Sequence, residues 1–509
     1  MPPIQYLNIY SFLIVIIIAL TVPFIFRHNS HADYQDAGDP LDKMDGGDHL
    51  ATPETPAQEG GTLDYVTCAA LHNQLVEHAW VAEGRSLDEL ERRSFFQHYG
   101  EDVNEIIDRL DRQLVSFLES IIVSDKLPPF FFWVECITPP ADMFPFHDMF
   151  RECEEEPDRF LTLYTTNTGL GEHPLGLIYD QKLHRATMAL GIEDVDFSKP
   201  LEQHGDLWHP LETVLSNWIH MVQIKKITAS QDEAPNEKFG PWTWHPYSEA
   251  QVDSTVVAFE RLTVAIEERM VPAHYLPLHE GPLLSDEQLD AASVPRDCFI
   301  RSFLTRARKP RFKMIAPGLE VPHDPAAFID NQKFTVMNAD SEYGIIIPPV
   351  LIFASADRAV VNLDSPNRYT SFNPFGKPFQ DGVPPGDHST LAGLYSESVE
   401  RFSIDNAEEG FRLLLPFRFH GFGEGLGARK SDGGPLADGS VAELFQHGFK
   451  PFGGEWWRAQ RLEALFDHWR ELVETGVWTV GNDGVQGGIE LFMDAGTHRS
   501  ESYYIKPSW

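Results

Sequence analysis

Residues 11–26 read SFLIVIIIALTVPFIF, and the choice between a chain built around a membrane span and one built around globular cores alone turns on them. With Leu7 and Ile9 the apolar run reaches about 20 residues, the length at which a helix crosses a hydrocarbon core. No charged side chain falls inside it or before it. Residues 1–26 therefore read as the anchor of a single-pass membrane protein, touching the membrane through residues 7–26. A signal peptide is the alternative, because Ser30-His31-Ala32 offers the small-x-small pattern of a cleavage site. Against it, the usual basic opening segment is missing and the apolar run outlasts most signal cores. Arg27 follows the span, and the positive-inside rule then favours a cytosolic body. One arginine leaves the side of the membrane undetermined.

Outward from the anchor, residues 27–63 are rich in Asp, Glu, Gly, Pro and Thr and poor in apolar side chains. Such a segment cannot bury enough surface to offset the entropy of ordering, so it reads as a disordered acidic tether. Residues 64–509 are ample for a large core. The formal net charge is −37, with 42% hydrophobic and 12% aromatic residues, which describes a packed body and not an acidic disordered chain. The acidity argues against a nucleic-acid partner, whose phosphates need a positive surface. Cys68, Cys136, Cys153 and Cys298 form no C-x-x-C pair, so neither a zinc ribbon nor a disulfide scaffold is indicated.

The body divides by pattern. Residues 64–280 read as mainly helical. Ser86-Leu-Asp-Glu89 is a capping box, and apolar residues from Val103 through Leu114, Phe117 and Leu118 to Ile122 recur at helical spacing before Pro128. A second stripe runs from Leu211 to Val222 behind Pro210, and a third follows the capping box Ser248-Glu-Ala-Gln251. Between them, Leu175–Asp180 and Arg185–Gly191 predict a short hairpin. Residues 281–509 read as β-rich, with strands expected in KFTVMN, YGIIIPPVLIFA, RAVVNL and GFRLLLPFRF. The stripe Leu462, Leu465, Phe466, Trp469, Leu472, Val473 predicts a closing helix with Gly476 past its end. The fold class expected is α+β.

Catalytic signatures are missing: no P-loop, H-E-x-x-H, G-x-S-x-G or kinase set is present. GFGEGLGA at 421–428 is followed by loop-forming residues and not by a helix pattern, so it reads as a glycine turn and no dinucleotide cofactor is expected. Two candidate sites remain. His204 and Asp206 have the H-x-D spacing of a facial iron site, with His209 close by. The segment RDCFIRSFLTRARKPRFK, 296–313, carries Arg296, Arg301, Arg306, Arg308, Lys309, Arg311 and Lys313 against one acid, Asp297. Arg306, Arg308 and Arg311 are the candidates for binding an anion such as a phosphate, diphosphate or carboxylate. Pairing with the chain's surplus carboxylates is the structural alternative.

The phrases GLGEHPLGLIYD, HPLETVLSNWIHMV, FGPWTWHPYSEAQVDS, EYGIIIPPVLIF and GVWTVGNDGVQGGIE together resemble a family of uncharacterised proteins of filamentous fungi. The resemblance covers about Leu71 to Trp509 and brings no catalytic motif. It implies a fungal origin and a place in specialised metabolism. The function expected is a membrane-tethered enzyme of secondary-metabolite biosynthesis acting on a small lipophilic or anionic ligand. A cyclase or isomerase without a redox cofactor fits the missing motifs. The alternatives are a membrane adaptor that binds a protein partner, and a non-haem metal enzyme using the region of His204 and Asp206.

Overall fold

Asp64 opens the first helix. Its carboxylate accepts from the Thr67 amide at 3.0 Å and from the Thr67 hydroxyl at 2.8 Å, which satisfies a donor that the first helical turn leaves free. In this computed structural model the residues described are 61–509, apart from 147–149, 168–169, 171–174, 192–193, 195–204, 233–237, 337–345, 364–374, 376–388, 402, 420–426 and 455–457.

Helices α1 (Tyr65–Ala82), α2 (Phe95–Tyr99) and α3 (Arg112–Ser120) precede an antiparallel sheet. Its strands β1 (Val134–Ile137), β2 (Phe160–Thr166), β3 (Gly176–Asp180), β4 (Arg185–Ala189) and β5 (His209–Pro210) lie in sequence order. Helix α4 (Leu211–Gln223) follows, then a small sheet of β6 (Ile227–Ala229), β7 (Lys238–Phe239) and β8 (Trp242–Trp244) with β8 in the middle. The hairpin read from sequence is β3–β4, paired from Gly176 with Ala189 to Asp180 with Arg185. The region expected to be mainly helical thus carries a five-stranded sheet. Its strand β2, FLTLYTT, is buried on both faces except at Thr165, and a strand buried on both faces loses the apolar–polar alternation that marks strands. The stripe from Val103 is also not one helix. It breaks into 3₁₀ turns, and α3 begins only after Asp111, whose carboxylate accepts from the Gln113 amide at 2.7 Å.

The remaining helices are α5 (Glu249–Glu267), α6 (Asp286–Ala291), α7 (Phe299–Arg306), α8 (Pro325–Asp330), α9 (Lys333–Val336) and α10 (Leu462–Glu474). The strands are β9 (Met314–Ala316), β10 (Leu319–Glu320), β11 (Ile346–Ile347), β12 (Leu351–Ser355), β13 (Val360–Asn362), β14 (Ser389–Leu391), β15 (Gly393–Ser396), β16 (Val399–Glu400), β17 (Phe411–Leu414), β18 (Val480–Gly481) and β19 (Gly484–Val485). Seven of these strands form one sheet in the order β17-β15-β12-β10-β9-β19-β18, antiparallel except where β19 runs beside β9. Helix α5 starts at a complete capping box of Ser248 and Gln251 and packs along α10. Phe259 of α5 lies 5.3 Å from Phe466 of α10 and 6.1 Å from Phe353 of β12, ring centre to ring centre. So α5, which belongs to the first half by sequence, covers the sheet of the second.

Buried charge ties the halves together. Lys226 is fully buried, and its ammonium meets Glu409 at 2.9 Å and the Pro246 and Asn406 carbonyls at 2.8 and 3.2 Å. It also lies 4.7 Å above the Trp244 ring. Arg458 pairs with Asp405 at 2.7 Å beside the same ring. Trp218 of α4 donates to the Phe452 carbonyl at 2.7 Å.

The expectation of a single-pass membrane protein is corrected here. Among the described residues no helix is long and apolar enough to cross a membrane. The two longest, α1 and α5, carry His72, Glu77 and His78 in one case and Asp253, Glu260 and Arg261 in the other, side chains that a hydrocarbon core excludes. The segment 7–26 that prompted the expectation, and most of the tether to residue 60, lie outside the described residues.

Candidate functional site

The segment 307–311 leaves α7 and runs antiparallel beside 276–283. The Leu276 amide donates to the Arg311 carbonyl and the Leu283 amide to the Ala307 carbonyl, both at 2.8 Å, and Pro282 bridges to Arg308. Successive side chains on an extended chain face opposite ways. Arg308 therefore points outward, its side chain 86% exposed, while Lys309 joins the wall of a cleft of about 660 Å³.

Four stretches of chain build that cleft. Leu276, Pro277 and His279 come from the loop after α5; Lys309 and Lys313 come from the basic segment. Val321, His323, Asp324 and Phe328 come from the turn into α8, and Leu351, Ile352 and Arg358 from β12 and the turn after it. Val321, Phe328, Leu351 and Ile352 are buried and give the cleft an apolar floor. Lys313 and Arg358 are exposed at its rim, with Lys309 between rim and floor. Arg358 holds a positive φ of 58°, and the turn is fixed by Asp357, which accepts from the Ala359 amide at 3.1 Å.

The cations in this cleft are answered unequally. Lys313 pairs with Asp483 at 3.3 Å. Among the described residues Lys309 has no ion-pair partner, and loss of water around it lowers its pKa with no carboxylate to offset the effect. Of the two acids in the lining, Glu320 and Asp324, the second caps α8 by accepting from the Ala326 amide at 3.0 Å. The His323 ring is fixed by a 2.6 Å bond from Nε2 to the Phe312 carbonyl. A carbonyl only accepts, so Nε2 carries the proton and Nδ1 is the free base. Burial lowers the pKa of His323, assisted by the nearby charges of Lys309, His279 and Lys313.

The three arginines singled out by sequence do not enter the cleft. Arg306 forks to Glu249 at 2.6 Å and Asp253 at 3.1 Å, and Arg308 faces Glu260 at 3.6 Å, all on α5. Arg311 donates from Nε to the Leu276 carbonyl at 3.2 Å and lies 4.6 Å over the Tyr275 ring. They brace the segment while its lysines line the hollow. Of the metal candidates, His204 lies outside the described residues. Asp206 and His209 are neighbours, but His209 Nε2 meets the main-chain carbonyl of Asp206 at 2.9 Å and not its carboxylate. Burial lowers the pKa of His209 to about 4. Among the described residues no three His, Cys, Asp or Glu side chains are grouped to hold a metal ion. The glycine run lies outside the described residues up to residue 426.

A second cavity, of about 390 Å³, sits between α1 and β1 and is lined by His72, His98, Tyr99, Asp125 and Cys136 among others. His98 Nε2 pairs with Asp125 at 3.1 Å. The Cys136 thiol is pushed up to about 11, mainly by desolvation, which keeps it protonated and unlike an activated nucleophile.

His279, His323 and Arg358 were not legible as site residues. They sit on separate stretches and share no motif. Lys309 and Lys313 stood within the basic segment but were outweighed by its arginines. No protein-family model, no curated protein and no solved structure matches this chain.

Proposed function

We propose that the chain is an enzyme of specialised metabolism that takes a small lipophilic substrate bearing an anionic group into the cleft between residues 276 and 358, and carries out a cyclase- or isomerase-type reaction there. The observation that supports this reading is the placing of Lys309, Lys313 and Arg358 around an apolar floor in a chain of net charge −37. Cations that no carboxylate pairs among the described residues, Lys309 and Arg358, draw anions to that point, and an apolar concavity with a few converging polar groups is the usual form of a small-molecule site. The adaptor reading has less to stand on. The exposed valines of α5, Val257 and Val264, are interleaved with Glu260, Arg261 and Glu268, so they form no continuous apolar patch.

Dansylaminoundecanoate and its methyl ester provide the test. The carboxylate should bind at least tenfold more tightly than the ester, and Arg358→Gln together with Lys313→Gln should erase that preference. Equal binding of acid and ester would remove the anionic part of the proposal. Deletion of the gene, under conditions where it is expressed, should remove or divert a metabolite. An unchanged profile would count against a biosynthetic role.

A further inference from the structure

We propose that Lys309 is a catalytic residue that forms a reversible imine with an aldehyde or ketone carbon of the bound ligand. The inference rests on the cleft being the substrate site. Three observations carry it. Lys309 is an amine on the wall of a hollow with an apolar floor. Among the described residues it has no carboxylate partner, unlike its neighbour Lys313, which has Asp483. Its backbone is held on both sides, by Pro282 opposite Arg308 and by the Leu276–Arg311 hydrogen bond, so the stem leaves from a fixed point.

A half-buried amine without a carboxylate partner adds little to the fold, because partial loss of water disfavours the ammonium and no ion pair offsets it among the described residues. The same partial desolvation lowers its pKa and so favours the neutral amine, the form that attacks a carbonyl. The step balances without any further reagent. The Nζ lone pair attacks the carbonyl carbon, the C=O π pair moves to oxygen, and proton transfer from nitrogen gives the carbinolamine. Loss of water then leaves C=N, which on protonation is an iminium. The iminium draws electrons from the neighbouring C–H bond, so a proton can leave there, as isomerisation and ring closure next to a carbonyl require. Water returns in the last step to release product and free Lys309.

The rim cations suit an oxo-acid, whose carboxylate is placed at Arg358, beside the Lys313–Asp483 pair, and whose carbonyl is placed at Lys309. The full chain is incubated with 12-oxododecanoate and cyanoborohydride, and the reduced adduct is located by peptide mass spectrometry. Lys309 should be labelled at least tenfold faster than exposed lysines such as Lys126 and Lys182, and 12-hydroxydodecanoate should protect it by competition. Lys309→Arg should abolish the fast label, with its melting temperature checking the fold. Labelling spread over surface lysines in proportion to exposure would overturn the inference. If 12-hydroxydodecanoate binds in the cleft while Lys309 stays unlabelled, the imine is wrong and the substrate site stands. If neither compound binds, the substrate site itself falls, and the imine with it.

Discussion

Lys226 is a lysine taken wholly out of water and Lys309 one taken out in part, and they are treated in opposite ways. Lys226, at the junction of the two halves, is met by Glu409, two carbonyls and the face of Trp244. Lys309, in the cleft, has an apolar floor and no described carboxylate partner. Burial lowers the pKa of both, but at Lys226 the Glu409 carboxylate pulls the other way. Desolvation alone therefore does not mark a functional lysine. What separates them is whether the fold supplies a counter-charge: Glu409 does so for Lys226, and no described carboxylate does so for Lys309.

The largest effect should come from breaking the supplied pair. Glu409→Ala strands an ammonium in the core and should cost about 3–5 kcal/mol in denaturant unfolding. Replacing both partners, Lys226→Met with Glu409→Leu, should recover most of that loss, because a buried pair gives little net stability over apolar side chains of similar size. A cost below about 1 kcal/mol for Glu409→Ala would mean that water reaches Lys226, and the contrast with Lys309 would fail.

A buried base of a third kind sharpens the same rule. His72 is almost fully buried, bonded to the Tyr164 hydroxyl at 2.9 Å and the Ile122 carbonyl at 3.1 Å, and stacked on Phe130 at 4.6 Å. Burial lowers its pKa from 6.5 to about 4. Its unfolded form therefore binds more protons between those values. The stabilisation from keeping it neutral is fully present above pH 6.5 and is lost as pH falls towards 4, by up to about 3 kcal/mol. Unfolding followed against pH should show His72→Gln flattening that slope. An unchanged slope would place the acid sensitivity elsewhere.

Much of the fold was legible where one face of an element is wet. The capping box at Ser248 and the stripe of α10 carry such a local pattern; the hairpin β3–β4 was legible although its strands are buried almost throughout, because two short apolar runs flank the turn at 181–184. Legibility failed where burial is two-sided or chemistry is mixed. Strand β2 shows no alternation. Helix α1 buries Cys68, Leu71, His72, Leu75, Val76 and Ala79 at helical spacing, but a histidine and a cysteine inside the stripe blur it. KFTVMN has the aromatic and β-branched composition of a strand and yet holds helix α9. Just before it, Gln332 clamps the Leu351 backbone with two 3.0 Å bonds, and such tertiary contacts outweigh propensity. The cleft was half legible. The basic segment pointed to it, but which of its charges turn inward depends on the strand-like pairing with 276–283, and that pairing is not written in either stretch.

A smaller effect is expected on the braced face of that segment. Arg306→Ala removes ion pairs to Glu249 and Asp253, whose side chains are 69% and 70% exposed. Exposed pairs of this kind contribute roughly 0–1 kcal/mol each and are screened by salt. The loss in melting temperature should be slight at low ionic strength and vanish near 1 M salt. Ligand binding in the cleft should be untouched. A clear loss of binding would show that the arginines act on the ligand after all.

The smallest effect on stability, and the one that separates the two lysines most directly, is expected for Lys309→Met. Among the described residues no carboxylate answers this ammonium, so removing it breaks no ion pair there; the methionine keeps the apolar length of the stem and drops the charge that partial burial penalises. Stability should change by no more than about 0.5 kcal/mol, with either sign small. The pH dependence gives the sign. The folded pKa of Lys309 lies below its ordinary value of 10.5, so the unfolded wild type binds more protons in that interval and the wild type gains stability as pH rises through it. The variant lacks this gain, so any advantage it holds at neutral pH should shrink as pH approaches 10.5. A loss of several kcal/mol at neutral pH would instead show that Lys309 is held by the fold as Lys226 is, and the cleft would lose its one uncommitted amine.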